Sequence, residues 1–278
     1  MARQVDHGAL RDFVAKRRKE SGGYGATPRL PATIQDTFQA VALTMVLGDA
    51  VPTPQAEPAL ADYLARMLAV PWLGIDTTFR LLTTCHICGV AIDGARVRAH
   101  LAACLSSDTS LATRYYVRRI AREILAEELD LPGLQRSLFL PAPCAVQDVA
   151  RFLFLKKMDG QSIGGAGELS GWLKRTQNGD GGFGFFPGTT SFLENCHAGL
   201  AALSLLGARP DDPANLRAFI VSCQTGRGGF GRSPRAAPFL DASWHGIAGL
   251  RLLAELEAGS VGGVGDIAGR QNSLTLSV

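Results

Sequence analysis

GWLKRTQNGDGGFGFFPGTTSFLENCHAGLAALSLLG, residues 171–207, decides the fold. An amphipathic segment runs into a glycine turn, Gly181-Gly182-Phe183-Gly184, and leaves it as a helix that is apolar nearly all round. The turn recurs as Gly22-Gly23-Tyr24-Gly25 and Gly228-Gly229-Phe230-Gly231. The last two extend to Gln177-x3-Gly-Gly-Phe and Gln224-x3-Gly-Gly-Phe, 47 residues apart. Self-similarity at such a period is the signature of a helical repeat array.

Both halves of the unit repeat. After the turn, or its equivalent, comes an apolar helix opening on a short polar group: Gln35-Asp36-Thr37-Phe38, Asp76-Thr77-Thr78-Phe79, Gln147-Asp148-Val149, Glu194-Asn195-Cys196 and Asp241-Ala242-Ser243. Side-chain oxygens there suit N-capping of first-turn amides. The runs 40–48, 200–207 and 246–253 that follow are apolar on all sides and so read as buried helices. Before each turn lies a more amphipathic segment, at 7–20, 57–69, 95–105, 167–177 and 213–224, with a weaker one near 132–140. With a degraded unit at 110–128 this predicts about six helical hairpins. The expected architecture is all-α, an α/α toroid (α6/α6 barrel) whose inner helices surround a central hollow, over residues 1–258 as a single domain. The Gly/Ser-rich stretch 259–278 reads as a C-terminal tail.

Composition agrees. A chain of 278 residues with 46% apolar side chains can bury one large interior. A net charge of +3 is too small to imply nucleic acid, and the longest basic run, Lys16-Arg17-Arg18-Lys19, reads as solvated helix surface. No apolar stretch reaches the length of a membrane span and the N-terminus lacks a signal-peptide pattern, so a cytoplasmic location with six reduced cysteines is expected.

Cys85-x2-Cys88-x11-His100-x3-Cys104 has metal-ligand spacing and resembles the ubiquitin-binding zinc finger of DNA-repair proteins. The repeat explains the same residues without metal. Val97 to Cys104 overlays Leu216 to Cys223, with Phe219 at the position of His100, and 83–89 overlays the end of the helix at 43–48. The expectation is two helices with small buried cysteines.

The glutamine-glycine-aromatic turns and polar-headed apolar helices resemble the protein prenyltransferase β-subunit and squalene/terpene cyclase superfamily. The likeness spans most of 7–256 and is strongest over 167–256. It implies that Gln177, Phe183, Gln224 and Phe230 tie neighbouring helices together, and that the hollow binds an isoprenoid against aromatic side chains. Protonating cyclases of this superfamily carry Asp-x-Asp-Asp at an inner-helix start. Here the matching place reads Thr33-Ile34-Gln35-Asp36, leaving Asp36, and elsewhere Asp76, as candidate acids. Protein prenyltransferases hold Zn²⁺ with Asp, Cys and His to generate a substrate thiolate. Glu194, Cys196 and His245 are the residues of suitable type in this chain, in a register displaced from the family's by about half a turn to one turn. An isoprenoid diphosphate requires cations, for which Arg114, Arg118 and Arg151 are candidates, with Tyr115 and Trp244 as aromatic contacts. The resemblance leaves three readings open: a prenyltransferase-like or terpenoid-processing protein, a cyclase with a non-standard acid, and a non-catalytic isoprenoid carrier or interaction module. A helical partner subunit accompanies the eukaryotic transferases it resembles.

Overall fold

The computed structural model describes residues 4–72, 74–135 and 137–259. Eleven α-helices and one π-helical turn make up that chain, and among the described residues only isolated β-bridges occur and no strand. The amphipathic helices are α1 (His7–Ala15), α3 (Pro58–Ala69), α5 (Gly94–Ser107), α8 (Ala166–Arg175) and α10 (Pro213–Ser222). The helices between them are α2 (Ile34–Val46), α4 (Ile75–Ile87), α6 (Leu111–Arg119), α7 (Val146–Met158), α9 (Leu193–Leu205) and α11 (Leu240–Glu257), with the π-turn Ile120–Ile124 continuing α6. Five helices thus precede six. The segment near 132–140, expected to supply a sixth amphipathic helix, carries turns instead. Pro132 and Gly133 disfavour a helix there, and the carbonyls of Leu134 and Ser137 receive the guanidinium of Arg114 in place of helical amides. The tail lies, from residue 260, outside the described residues.

The chain divides into two compact units, residues 14–138 and residues 1–13 with 139–278, taken here by their described parts. In the first, α4 packs against α2 and α6; in the second, α9 packs against both α7 and α11. The helix starts are sharpened by Thr33, Asp93, Ser110 and Asp212, each accepting a first-turn amide, and by Pro58 and Pro213 at the start of α3 and α10. The acids expected to be N-caps instead sit one or two residues inside the helix. Asp36 and Asp148 reach back to the cap residue, accepting the Thr33 hydroxyl at 2.6 Å and the Ala145 amide at 2.9 Å.

The glycine turn seats its first glycine against a helix carbonyl in both units, Gly22 (φ +98°) on Ala59 of α3 in one. Gly228 has φ +92° and lies against the Ala9 carbonyl of α1, leaving no room for a Cβ. A Cβ on Gly182 would stand 2.8 Å from the Phe219 ring of α10. Gln177 fixes the turn to the start of α10: its Nε2 donates to the carbonyls of Gly181 (3.0 Å) and Asp212 (2.9 Å), and its Oε1 accepts the amides of Asp211 and Asp212. Gln224 repeats this towards α1, donating to Gly228 and Asp6 and accepting the Asp6 amide. In the first turn Arg18 stands in the glutamine position and pairs with Glu57, the residue before α3. The rings of Phe183 and Phe230 are fully buried over Gly199 and Gly246, whose missing side chains make the space.

Candidate functional site

The six helices α2, α4, α6, α7, α9 and α11 share one register. Their fifth residues are Phe38, Phe79, Tyr115, Ala150, His197 and Trp244, all buried. The fourth residue carries a different task. In α2 the Thr37 hydroxyl accepts the Tyr24 amide (3.0 Å), in α11 the Ser243 hydroxyl accepts the Phe230 amide (2.9 Å), and in α9 the Cys196 sulfur accepts the Phe183 amide (3.3 Å). In each case the donor lies thirteen residues upstream, in the glycine turn.

Each residue of the expected metal set has a partner of its own in this arrangement. Cys196 is 1% exposed and holds the turn, and burial pushes its thiol far above the ordinary range. Glu194 pairs with Arg232, whose guanidinium also stacks on Phe192. His245 turns to α9, its Nδ1 3.0 Å from Nδ1 of His197, with its Nε2 3.7 Å from the Asp241 carboxylate. The three side chains are thus turned to three different partners, and no group of three or more His, Cys, Asp or Glu placed to hold a metal occurs among the described residues. The residues of the finger-like spacing are also divided. Cys85 and Cys88 pack with Val41, Leu60 and Leu81, and burial pushes both thiols up to about 12. His100 Nε2 meets the Thr78 hydroxyl at 3.1 Å and the Cys104 sulfur at 3.4 Å.

The candidate acids have local partners. Asp36 accepts the Thr33 hydroxyl at 2.6 Å. For Asp76, burial raises the carboxyl, but the hydrogen bond and charge of Arg80, at 2.8 Å, outweigh it and hold the group below the ordinary carboxylate range. A carboxyl held that low is ionised near neutral pH, whereas a general acid must still carry its proton there.

The expected cations are likewise engaged. Arg114 is buried and donates to the carbonyls of Ser137 (3.2 Å) and Leu134 (3.1 Å). Arg118 stands 3.7 Å from Glu128, and Arg151 3.9 Å from Asp148. One residue missed in the sequence is Arg119, next to Arg118 but on the buried side of α6. It makes a bidentate pair with Glu123, donates to the Tyr115 hydroxyl at 3.1 Å and stacks 4.4 Å over the Phe79 ring. Burial works against its charge, and Glu123 more than offsets this, so the guanidinium stays charged. Burial also pushes the Tyr115 phenol up to about 12.

Aromatic rings cluster in either unit. In one, Phe38 meets Phe79 (6.3 Å), Phe79 meets Tyr116 (5.3 Å) and Tyr116 meets Tyr115 (5.2 Å). In the other, Trp244 contacts His197 (4.9 Å) and His245 (4.6 Å). Helical hairpins tied by Gln-x3-Gly-Gly-Phe turns decide the family together with the match to its model. The model of the prenyltransferase alpha-alpha toroid domain matches residues 2–114, 144–233 and 168–268, more than half the chain. The chain belongs to the prenyltransferase α-α toroid family. Its fold class is accordingly all-α, of the α/α toroid kind. The comparison with curated proteins gives no match. None of the described helices of this toroid-family chain is long and apolar enough to cross a membrane.

Proposed function

We propose that this prenyltransferase-family chain binds an isoprenoid against the aromatic residues of its buried helices. The observation that carries the reading is the fifth-residue register: Phe38, Phe79, Tyr115, His197 and Trp244 recur at one helical position, with Phe38 against Phe79, His197 against Trp244, and Tyr115 joined to Phe79 through the ring of Tyr116. Flat π faces suit the alkenes of a polyprenyl chain and the positive charge that develops on it during ionisation. The six free cysteines support a cytoplasmic location. Extraction of lipid from the purified protein followed by mass spectrometry tests the reading. A stoichiometric isoprenoid is the expected result, and protein that carries none and takes up none when supplied overturns it.

Carriage or processing without a metal-bound thiolate is favoured over zinc-assisted transfer by the separate engagement of the candidate ligands, Glu194 with Arg232 and His245 with His197, while Cys196 holds the Phe183 amide. In the α9–α11 pair the chemically capable groups are two imidazoles with facing Nδ1 atoms, of which one donates and the other accepts. Such a pair can take up a proton from a bound intermediate or return one.

A further inference from the structure

Asn195, the third residue of α9, is fully buried, and neither its Nδ2 nor its Oδ1 has a hydrogen-bond partner. A buried amide in that state is costly, and the fold does not require it. At the same register Asp36 and Asp148 bond to the residue before their own helix, at Thr33 and Ala145. In α9 that role is void, because the Phe192 amide donates to the Phe183 carbonyl at 3.1 Å and Phe192, unlike Thr33, has no hydroxyl to offer. In α11 the same backbone bond, Phe239 to Phe230, is made with Ala242 at the register position. An alanine therefore suffices for the helix start. Nor does Asn195 join the imidazole pair: two residues along a helix turn through about 200°. With His197 directed at α11, Asn195 points away from the imidazole pair.

We infer that Asn195 binds the polar end of the ligand, and that this end is a neutral hydroxyl rather than a diphosphate. The inference rests on the isoprenoid reading above and names its substrate class. A side-chain amide has donors on one atom and an acceptor on the other. A hydroxyl offers both a donor and an acceptor, so it satisfies both orphan atoms, whichever way the amide is turned. An ionised diphosphate offers acceptors alone, and would leave Oδ1 facing negative oxygen. The local charges agree. Glu194 beside Asn195 has taken Arg232. Helix α9 contains no lysine or arginine, and the arginines of the two helices packed on it each face a carboxylate, Arg151 of α7 at 3.9 Å from Asp148 and Arg251 of α11 at 3.2 Å from Glu255, while Lys156 and Lys157 of α7 lie in its last turn, at the far end from its third residue.

Calorimetric titration of the full chain with farnesol, farnesyl diphosphate and the hydrocarbon farnesene tests this, on the wild type and on Asn195→Ala, which copies Ala242. The wild type should bind farnesol more tightly than either other probe. In Asn195→Ala the farnesol affinity should fall about tenfold, as expected for two neutral hydrogen bonds. Farnesene affinity should be unchanged and the Tm equal or higher. Tighter binding of farnesyl diphosphate, or a variant whose only change is a raised Tm, overturns the inference and leaves isoprenoid binding intact. Should none of the three probes bind, the isoprenoid reading fails and the inference with it. Should Asn195→Ala fail to fold, Asn195→Gln carries the test, expected to bind all three probes but to lose the preference for farnesol over farnesene through its displaced amide. An unchanged preference in that variant overturns the inference.

Discussion

The Phe183 backbone amide donates to the sulfur of Cys196, and this bond occupies the place that Thr37 and Ser243 fill with hydroxyls in the sister repeats. Cys196 is thus the thiol variant of a hydroxyl clamp between the glycine turn and the buried helix. Cys196→Ser should preserve the fold, since Ser243 shows the geometry a serine adopts there, donating onward to the Phe239 carbonyl at 2.7 Å. Cys196→Ala leaves the Phe183 amide buried without an acceptor and should cost about 1–3 kcal/mol. Denaturant unfolding of the two variants distinguishes them, and equal losses would refute the clamp.

The turn glycines are fixed by contact with the next amphipathic helix. Gly182→Val drives a branched side chain into Phe219 and Ser191 and should destabilise by about 1–3 kcal/mol or more. Gly229→Val meets Phe13 in the same way. Thermal unfolding reads both, and an unchanged Tm in either would break the equivalence of the turns.

Thiol chemistry should be divided. Cys104 and Cys144 are partly exposed, whereas Cys85, Cys88, Cys196 and Cys223 are buried. Alkylation of the native protein at pH 8, followed by mass spectrometry, should therefore label the first two ahead of the rest. Burial pushes Cys85, Cys88 and Cys223 up to about 12 from an ordinary value of about 9. Between pH 9 and 12 the unfolded chain has released protons that the fold retains, so stability should be full below pH 9 and fall as pH rises. A flat stability profile across that window would contradict the burial of these groups.

Arg119 and Glu123 form a pair with side chains 1% and 10% exposed. Arg119→Leu strands a carboxylate beside aromatic rings and should cost about 3–5 kcal/mol. Arg119→Leu with Glu123→Leu should recover most of the loss, because no charge is then left alone. A double-mutant cycle with no coupling would show that the two groups stand independently.

His100→Phe copies the residue at the corresponding place in α10 and should fold. It removes the bond to Thr78, whose hydroxyl keeps the Gly74 carbonyl at 2.9 Å. In the wild type burial, then Arg96, lowers the His100 pKa below 6.5. Its contribution is complete above pH 6.5 and is lost as pH falls, so the variant should gain on the wild type in mild acid. A variant that loses stability equally at every pH would contradict this.

The helical hairpins were readable because their apolar period and glycine turns recur, and the boundaries of α2, α9 and α11 follow from them. The role of Cys196 was also present in the sequence, as the common interval from turn aromatic to Thr37, Cys196 and Ser243, but residue type drew it towards metal chemistry. Arg114, Arg118 and Arg119 were ambiguous because their partners lie among residues 123–137, beyond the regular part of α6. There Pro132 and Gly133 erase the period. Nothing in residue spacing separates Arg118 from Arg119; a rotation of about 100° between them decides which is buried. The imidazole pair joins residues on separate helices, and Asn195 is informative only once its lack of partners is known.

The central claim is isoprenoid binding that depends on aromatic side chains and not on a metal-held Cys196. Equilibrium binding of farnesol and geranylgeraniol, measured on wild type and on Cys196→Ser before and after exhaustive chelation, tests it most directly. The account predicts saturable binding of equal affinity in all four cases. Binding that requires zinc and disappears in a folded Cys196→Ser variant would contradict it.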